Sequence, residues 1–234
     1  IPMSGYGRLP AVDHRQIWDS FCKRLSVGTD SVPLFAHSDD LTVERKERGS
    51  GKHQRHVLRR SDAMEQLVRA ETKRLVADWE EEKHAYDGLI YLMFFKDREQ
   101  VLPLYIGKTE TLGKSAGNLS ANIKGLDSGK FARWGYGYAY HIGDLSAVVL
   151  EGHPPSKINK KYEDWAQTLF TEFPTTKPRL KQQVYFWAKA WKKTDVGPWE
   201  DFGPTHLTFL EYLLIGIASS AHPELLLNRE GQNR

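Results

Sequence analysis

One stretch of this sequence, LTFLEYLLIGIASSA from Leu207 to Ala221, has the length and the leucine content of a buried helix but includes a charged residue, Glu211. Pro204 marks a break in the preceding chain, and Thr205 is a candidate cap. Helical spacing places Glu211 on an apolar face. An ionised carboxylate on such a face is costly unless a cation, a metal ion or hydrogen bonds compensate it. We therefore expect Glu211 to have a function that needs its charge.

Length and composition predict a folded protein with a sizeable core. The chain has 234 residues, of which 40% are hydrophobic and seven are tryptophan. This is enough for one domain, or for a domain with a smaller appended part. The net charge of +3 is too small to establish a nucleic-acid partner, so the placement of the charges matters more than their sum.

The cysteine count and the apolar runs exclude several classes of protein. A single cysteine, Cys22, excludes an internal disulfide framework and a cysteine-rich zinc site. No apolar run reaches the roughly 18 residues of a membrane span, and no secretory signal pattern opens the chain. These features predict a cytoplasmic protein without a membrane partner.

The apolar pattern predicts an α/β (α+β) fold. Helical spacing of apolar residues occurs from Asp13 to Leu25, from Ser61 or Asp62 to about His84, and from Tyr162 to Phe170. Residues 88–95 and 101–107 are apolar runs separated by a polar turn, which predicts a hairpin of buried strands. Residues 184–191 predict another strand. We expect a small mixed or antiparallel sheet flanked by helices over residues 86–234, with a helical N-terminal extension over residues 1–85.

The predicted hairpin contains two short motifs. Residues 88–91 read GLIY, and residues 104–108 read LYIGK. These segments resemble the two signatures that name the GIY-YIG nuclease superfamily. The second signature matches, whereas in the first the glycine lies one residue earlier than the family pattern has it.

Three further elements of that family's pattern follow in the same order. Arg133 precedes an aromatic residue, Glu211 lies on the predicted helix, and Asn228 follows that helix. The resemblance covers residues 86–230, with longer gaps than in compact members, which implies insertions of the kind found in restriction-type members. The family often has a histidine or tyrosine one helical turn beyond the arginine. Residue 137 is a glycine between two tyrosines here, and His141 is a further option.

The resemblance implies a Mg²⁺-dependent endonuclease that acts on DNA, with Mn²⁺ as a substitute. It assigns Glu211 as the metal ligand and Arg133 to the phosphate. It assigns proton transfer and water positioning to Tyr91 and Tyr105. Lys108 adds electrostatic support, and Asn228 orients the site. Six residues are therefore candidates for the site: Tyr91, Tyr105, Lys108, Arg133, Glu211 and Asn228.

These residue types also fit the chemistry of phosphodiester hydrolysis. A carboxylate that holds one Mg²⁺ ion supplies a Lewis acid, and an arginine fork grips the phosphate oxygens. A tyrosine acts as a base only if nearby cations lower its pKa. The alternatives are tyrosines packed in the core, a salt bridge between Glu211 and Arg133, and a turn or cap role for Asn228.

The segment ERKERGSGKHQRHVLRR, residues 44–60, has seven lysines or arginines and two glutamates. Such segments are usually solvated loops. Beside a nuclease core, this one is interpreted as an arm that follows DNA phosphates. The candidate contacts are Lys52, Arg55, Arg59 and Arg60.

The preferred biological role is restriction or phage defence, by analogy with family members that have insertions. One alternative is a structure-selective or single-strand-specific DNA repair nuclease. Another is a non-catalytic nucleic-acid-binding module that keeps the fold. The sequence leaves the oligomeric state open, although a palindromic duplex target would suggest a homodimer.

Overall fold

In a computed structural model, which describes residues 12–51, 54–113 and 117–233, a long β-hairpin forms the centre of the fold. Strands β4 (Tyr86–Asp97) and β5 (Gln100–Glu110) pair antiparallel, with Asp97 opposite Gln100. The other edge of β4 pairs with β6 (Tyr185–Lys192), and β6 pairs with the short strand β1 (Val32–Pro33). The sheet order is β1-β6-β4-β5, and all its pairs are antiparallel. The predicted hairpin and α+β class are confirmed.

Six α-helices in the described residues surround this sheet: α1 (His14–Arg24), α2 (Asp62–Glu80), α3 (Ala121–Lys124), α4 (His141–Val149), α5 (Lys160–Leu169) and α6 (Leu207–Ala221). Helix α2 begins at a cap, since the Ser61 side chain accepts a hydrogen bond from the Met64 N–H. It ends about one turn before the predicted boundary. Helix α6 has the predicted bounds, with His206 rather than Thr205 at its cap position. No helix of the described residues is long and apolar enough to cross a membrane.

Both faces of the sheet are covered, which explains the continuous apolar runs of the hairpin. Successive side chains of β4 enter two different hydrophobic clusters. Leu89, Tyr91 and Met93 belong to the cluster that includes residues of α2, α4 and α5. Ile90 and Leu92 belong to the cluster that includes residues of α1 and α6. A strand buried on both faces has no polar side to alternate with.

Residues 12–85 contain strands that the pattern did not predict. The basic segment forms a two-stranded antiparallel hairpin, β2 (Arg45–Arg48) and β3 (Arg55–Leu58). Strand β1 extends the central sheet through β6. Both hydrophobic clusters also combine residues from before and after residue 85.

Helix α1 packs against α6, the helix that carries Glu211. The Arg15 Nε donates to the carbonyl oxygen of Ala221 at 3.1 Å, at the end of α6. On the same helix, the Trp18 indole N–H donates to the carbonyl oxygen of Val101 in β5 at 2.8 Å. Helix α1 is thus bonded both to α6 and to the strand that carries the YIG segment.

Candidate active site

Five of the six predicted site residues line one cleft. The first cleft has a volume of about 500 Å³ and opens where β5, α6 and the segment before α4 meet. The predicted residues in its lining are Tyr91, Tyr105, Lys108, Arg133 and Glu211. The second cleft, of about 320 Å³, contains Asn228 and shares Tyr105 and Glu211 with the first. The structure therefore brings together side chains that are widely separated in the sequence.

The glycine of the YIG segment is explained by the tyrosine on the facing strand. Tyr91 pairs with Gly107 across the β4–β5 ladder. A Cβ atom at residue 107 would lie 2.6 Å from the Tyr91 Cε2 and 2.9 Å from its hydroxyl oxygen. These distances are far shorter than a van der Waals contact, so any larger residue would displace the ring. Gly107 and Tyr91 are thus one packed unit.

The two tyrosines differ in their surroundings. Tyr91 is buried, and its hydroxyl donates to the carbonyl oxygen of Lys108 at 3.3 Å. Tyr105 is partly exposed, and its hydroxyl has no hydrogen-bond partner in the part of the chain that the structure describes. Tyr105 is therefore the tyrosine whose hydroxyl is free to contact a substrate or a water molecule.

Both tyrosines keep their protons at neutral pH. Burial raises the pKa of Tyr91 well above its usual value, and it raises the pKa of Tyr105 to about 12. The charge of Glu211 contributes to both of these shifts, and the charge of Arg133 opposes them. A tyrosine acts as a base only if nearby cations lower its pKa, and the cations near Tyr91 and Tyr105 do not lower either pKa below its usual value.

His141, the first residue of α4, also lines the first cleft. Its Nδ1 lies 2.8 Å from the Tyr162 hydroxyl, and its buried Nε2 has no partner among the described residues. Its ring stacks on Trp165 and lies edge-on to Tyr105, with centroids 5.1 Å apart in the latter pair. Burial lowers the pKa of His141 well below its usual value, so the imidazole is neutral at neutral pH. The structure places His141, the alternative to residue 137, in the same cleft as Arg133 and Glu211.

Arg133 lies in a loop with an unusual backbone. Three successive residues have left-handed φ angles, 45° at Phe131, 48° at Ala132 and 79° at Arg133. Each costs on the order of 1–2 kcal/mol for a residue with a Cβ. The Arg133 side chain is exposed at the first cleft and forms no ion pair or hydrogen bond with other described residues. Strain of this kind is retained where a function needs the geometry.

Arg60 holds this loop from inside the protein. It is only 5% exposed, and its Nη1 donates to the carbonyl oxygen of Trp134 at 2.7 Å. The guanidinium also donates to Glu65 at 2.7 and 3.0 Å, and it lies 3.7 Å from the centroid of the Phe131 ring. The predicted phosphate contact is therefore corrected, because a buried and paired arginine cannot reach DNA. Arg60 supports the loop that presents Arg133.

We expect Arg60→Gln to lower the free energy of unfolding by about 3 kcal/mol, because it leaves the Glu65 carboxylate without its buried partner. Chemical denaturation measures this loss. Arg59→Gln is the matched control, since Arg59 forms ion pairs with Glu44 and Asp62 near the surface. Loss of such pairs changes stability by less than about 1 kcal/mol. Equal losses in the two variants would contradict the assigned role of Arg60.

Lys108 is already neutralised by a residue that the sequence argument missed. Its ammonium group is hydrogen-bonded to the Glu110 carboxylate and to the Thr208 hydroxyl, the latter at 2.8 Å. Glu110 lines the first cleft, three residues beyond the YIG glycine, and brings a second carboxylate close to Glu211. The charge of Lys108 at the cleft is therefore balanced by the charge of Glu110.

Glu211 is half-buried between the two clefts and forms no ion pair with any residue the structure describes. Burial raises its pKa, while the charge and the backbone N–H of Lys108 lower it and the charge of Glu110 raises it. The alternative of a salt bridge with Arg133 is not realised. Among the described residues the carboxylate has no ion-pair partner of its own.

The donor set fits a Mg²⁺ ion but not a closed protein cage. No group of three or more His, Cys, Asp or Glu side chains suited to a metal ion occurs in the described parts of the chain. Mg²⁺ usually binds one or two carboxylates and completes its shell with water and phosphate oxygens. Glu211 supplies such a carboxylate, and Glu110 lines the same cleft.

Asn228 fixes the chain that follows α6. Its buried amide accepts from the Ile106 N–H at 2.9 Å and donates to the Ile106 carbonyl oxygen at 2.8 Å. The neighbouring Leu227 N–H donates to the Leu104 carbonyl oxygen at 2.7 Å. These bonds attach the C-terminal segment to the β5 edge on both sides of Tyr105. The orienting role of Asn228 in the site stays a prediction.

The free cations of the basic hairpin lie on β2. Of the four predicted contacts, Lys52 falls outside the described residues, and Arg59 and Arg60 are ion-paired. Arg55 donates to the Tyr136 carbonyl oxygen at 3.4 Å and lies 4.6 Å from the Tyr138 ring centroid. Within the described part of the basic hairpin, the exposed cations that form no ion pair are Arg45, Lys46 and Arg48.

Comparison of the sequence and fold with protein-family models, with curated proteins and with solved structures finds no match.

Proposed function

We propose that this protein is a GIY-YIG-type endonuclease that hydrolyses DNA phosphodiester bonds with Mg²⁺, or with Mn²⁺ in its place. One observation carries the proposal. Two tyrosines from a single hairpin, an arginine and a half-buried glutamate line one cleft, and neither charged group forms an ion pair with a described residue. An isolated cation and an isolated carboxylate in one cleft suit a ligand that brings both a phosphate and a metal ion.

Of the charged residues of the cleft, one binds the phosphate and another is the ligand for the metal ion. The Arg133 fork binds two non-bridging phosphate oxygens and stabilises the charge that develops on them. Glu211 would hold a Mg²⁺ ion, which would supply a Lewis acid and would lower the pKa of a water molecule bound to it. Lys108 and Glu110 form an ion pair beside Glu211. The charge of Lys108 lowers the pKa of Glu211, and the charge of Glu110 raises it.

The aromatic residues position the water molecule and move the proton. The free Tyr105 hydroxyl donates a hydrogen bond to the water molecule or to a phosphate oxygen, and Tyr91 supports it from the facing strand. We assign the proton of neutral His141 to Nδ1, which lies 2.8 Å from the Tyr162 hydroxyl, and this tautomer leaves Nε2 as an acceptor. Asn228 keeps Tyr105 in place through the β5 backbone.

We assign the protein to the cytoplasm and to restriction or phage defence, because the segments between the site residues are long enough to contribute to target selection. A specific observation favours a single-strand or structure-selective repair nuclease as the second candidate. Phe202, Phe209 and Tyr212 are about half exposed on or before the helix of Glu211, at 58%, 49% and 52%. Aromatic side chains in such positions stack on unpaired bases.

Incubation with plasmid DNA and with matched single-stranded and duplex oligonucleotides, with and without Mg²⁺, tests the proposal, and mapping of the product ends locates the cut. We expect Mg²⁺-dependent cleavage of the duplex. Cleavage of the single strand alone supports the repair candidate. Binding without cleavage in Mg²⁺ and in Mn²⁺ overturns the nuclease assignment in favour of a non-catalytic nucleic-acid-binding module.

A further inference from the structure

Lys161 on α5 is a cation that the proposed chemistry does not use. Its ammonium nitrogen lies over three aromatic rings, 4.8 Å from the centroid of Tyr105, 5.3 Å from Tyr162 and 5.4 Å from Trp165. It has no ion pair or hydrogen bond with any side chain or backbone group in residues 12–51, 54–113 and 117–233. The adjacent Lys160 instead pairs with Asp164 at 3.1 Å. Lys161 therefore contacts aromatic rings, and no carboxylate among the described residues forms an ion pair with it.

Other cations surround Lys161. Burial and the charges of Arg133 and Arg229 together lower the pKa of Lys161 to about 8, against the opposing charges of Asp144 and Glu230. Arg229 forms an ion pair with Asp164 at 2.8 Å, whereas Arg133 forms none with the residues that the structure describes. Cations that repel one another at a cleft favour the binding of an anion, because the anion relieves the repulsion.

The position of Lys161 relative to the two clefts suggests which anion it binds. Arg133 lines only the first cleft and Lys161 only the second, while Tyr105 and Glu211 line both. Since the two clefts share Tyr105 and Glu211, a DNA strand bound at Arg133 that continues past Tyr105 enters the cleft lined by Lys161. Glu230 and the ion-paired Arg229 line the second cleft as well, so Lys161 is the cation of that cleft that has no ion pair with a described residue.

We propose that Lys161 binds the phosphate next to the one that is cleaved, so that the DNA strand passes over Tyr105 from the first cleft into the second. This inference rests on the proposed function, because it takes DNA as the ligand of the first cleft. Lys161 contacts no reacting atom, so it is a positioning residue. Its loss should weaken substrate binding and raise KM much more than it lowers kcat.

Binding of a duplex oligonucleotide in EDTA, measured by fluorescence anisotropy over a range of salt concentrations, tests the contact without any cleavage. For Lys161→Gln we expect the slope of log K against log salt to decrease in magnitude by about 0.9, the contribution of one phosphate contact. Lys161→Arg should keep the wild-type slope. Lys160→Gln is the matched control and should also keep it. An unchanged slope in Lys161→Gln would overturn the inference.

A second measurement locates the phosphate. A methylphosphonate, which is uncharged, replaces in turn each phosphate that flanks the cleaved bond. We expect one flanking position to raise KM in the wild type and to have no further effect in Lys161→Gln. Equal sensitivity of both proteins at every position contradicts the proposed strand path. If the slope changes but no DNA is cut, the Lys161 contact stands and the nuclease assignment fails. If DNA is cut but the slope of Lys161→Gln is unchanged, the nuclease assignment stands and the Lys161 contact fails.

Discussion

Glu211→Gln should abolish cleavage and at the same time make the free protein more stable. We expect kcat to fall by about 10³-fold, because the variant lacks the carboxylate that holds the metal ion, whose charge stabilisation is worth several kcal/mol. The pKa of Glu211 is raised by burial above its value in an unfolded chain. Ionisation at neutral pH therefore opposes folding, and glutamine removes that cost while keeping the shape.

Two measurements separate these effects. Single-turnover cleavage reports the chemical step, and thermal denaturation with and without Mg²⁺ reports stability and metal binding. Mg²⁺ should raise the Tm of the wild type by mass action and leave that of Glu211→Gln unchanged. Glu224→Gln, at an exposed position, is the control for removing one negative charge. It should change neither the single-turnover rate nor the Tm shift caused by Mg²⁺. Retained cleavage in Glu211→Gln would show that the metal role is wrong.

Arg133→Lys should lower kcat by about 10²-fold, because lysine keeps the charge but cannot bind two phosphate oxygens in a fork. Arg133→Gly should lower kcat by about 10³-fold or more, in the range of arginines that stabilise phosphoryl transfer. Its stability should remain within about 1 kcal/mol of the wild type. Glycine accepts the left-handed backbone at this residue, and the strain that it relieves offsets the greater freedom of the unfolded chain.

Arg98→Gly is the matched control for the glycine variant. Arg98 is an exposed arginine with a left-handed φ of 53°, in the turn of the β4–β5 hairpin. The same substitution there changes the backbone in the same way but leaves the first cleft intact. Steady-state cleavage and chemical denaturation of both variants give the comparison. If both lose activity, or if Arg133→Gly unfolds, the assignment of Arg133 to the phosphate is contradicted.

The elements that the sequence predicted best have strong local patterns. Helix α6 is a continuous apolar stretch, and the β4–β5 hairpin consists of two apolar runs around a polar turn, so their positions follow from neighbouring residues alone. The convergence of Arg133 and Glu211 on one cleft was expected only from the family resemblance. Periodicity says nothing about which distant side chains meet.

The features that the sequence did not predict depend on contacts between distant residues. Arg60 is buried because Trp134, 74 residues away, accepts its hydrogen bond, and no local signal in the basic segment indicates this. The left-handed run from Phe131 to Arg133 contains no glycine or asparagine, the residues that usually mark such a backbone. The difference between Tyr91 and Tyr105 likewise arises from tertiary burial.

The bonds between α1 and α6 bear on protein engineering. A protein engineer who wished to transfer the proposed site to another protein could begin a fragment at residue 88, where the motifs begin. A fragment that starts there would lack Trp18 and Arg15, which bond to β5 and to the end of α6, and the strand that extends the sheet beyond β6. The minimal portable unit therefore includes α1, although α1 contributes no side chain to either cleft.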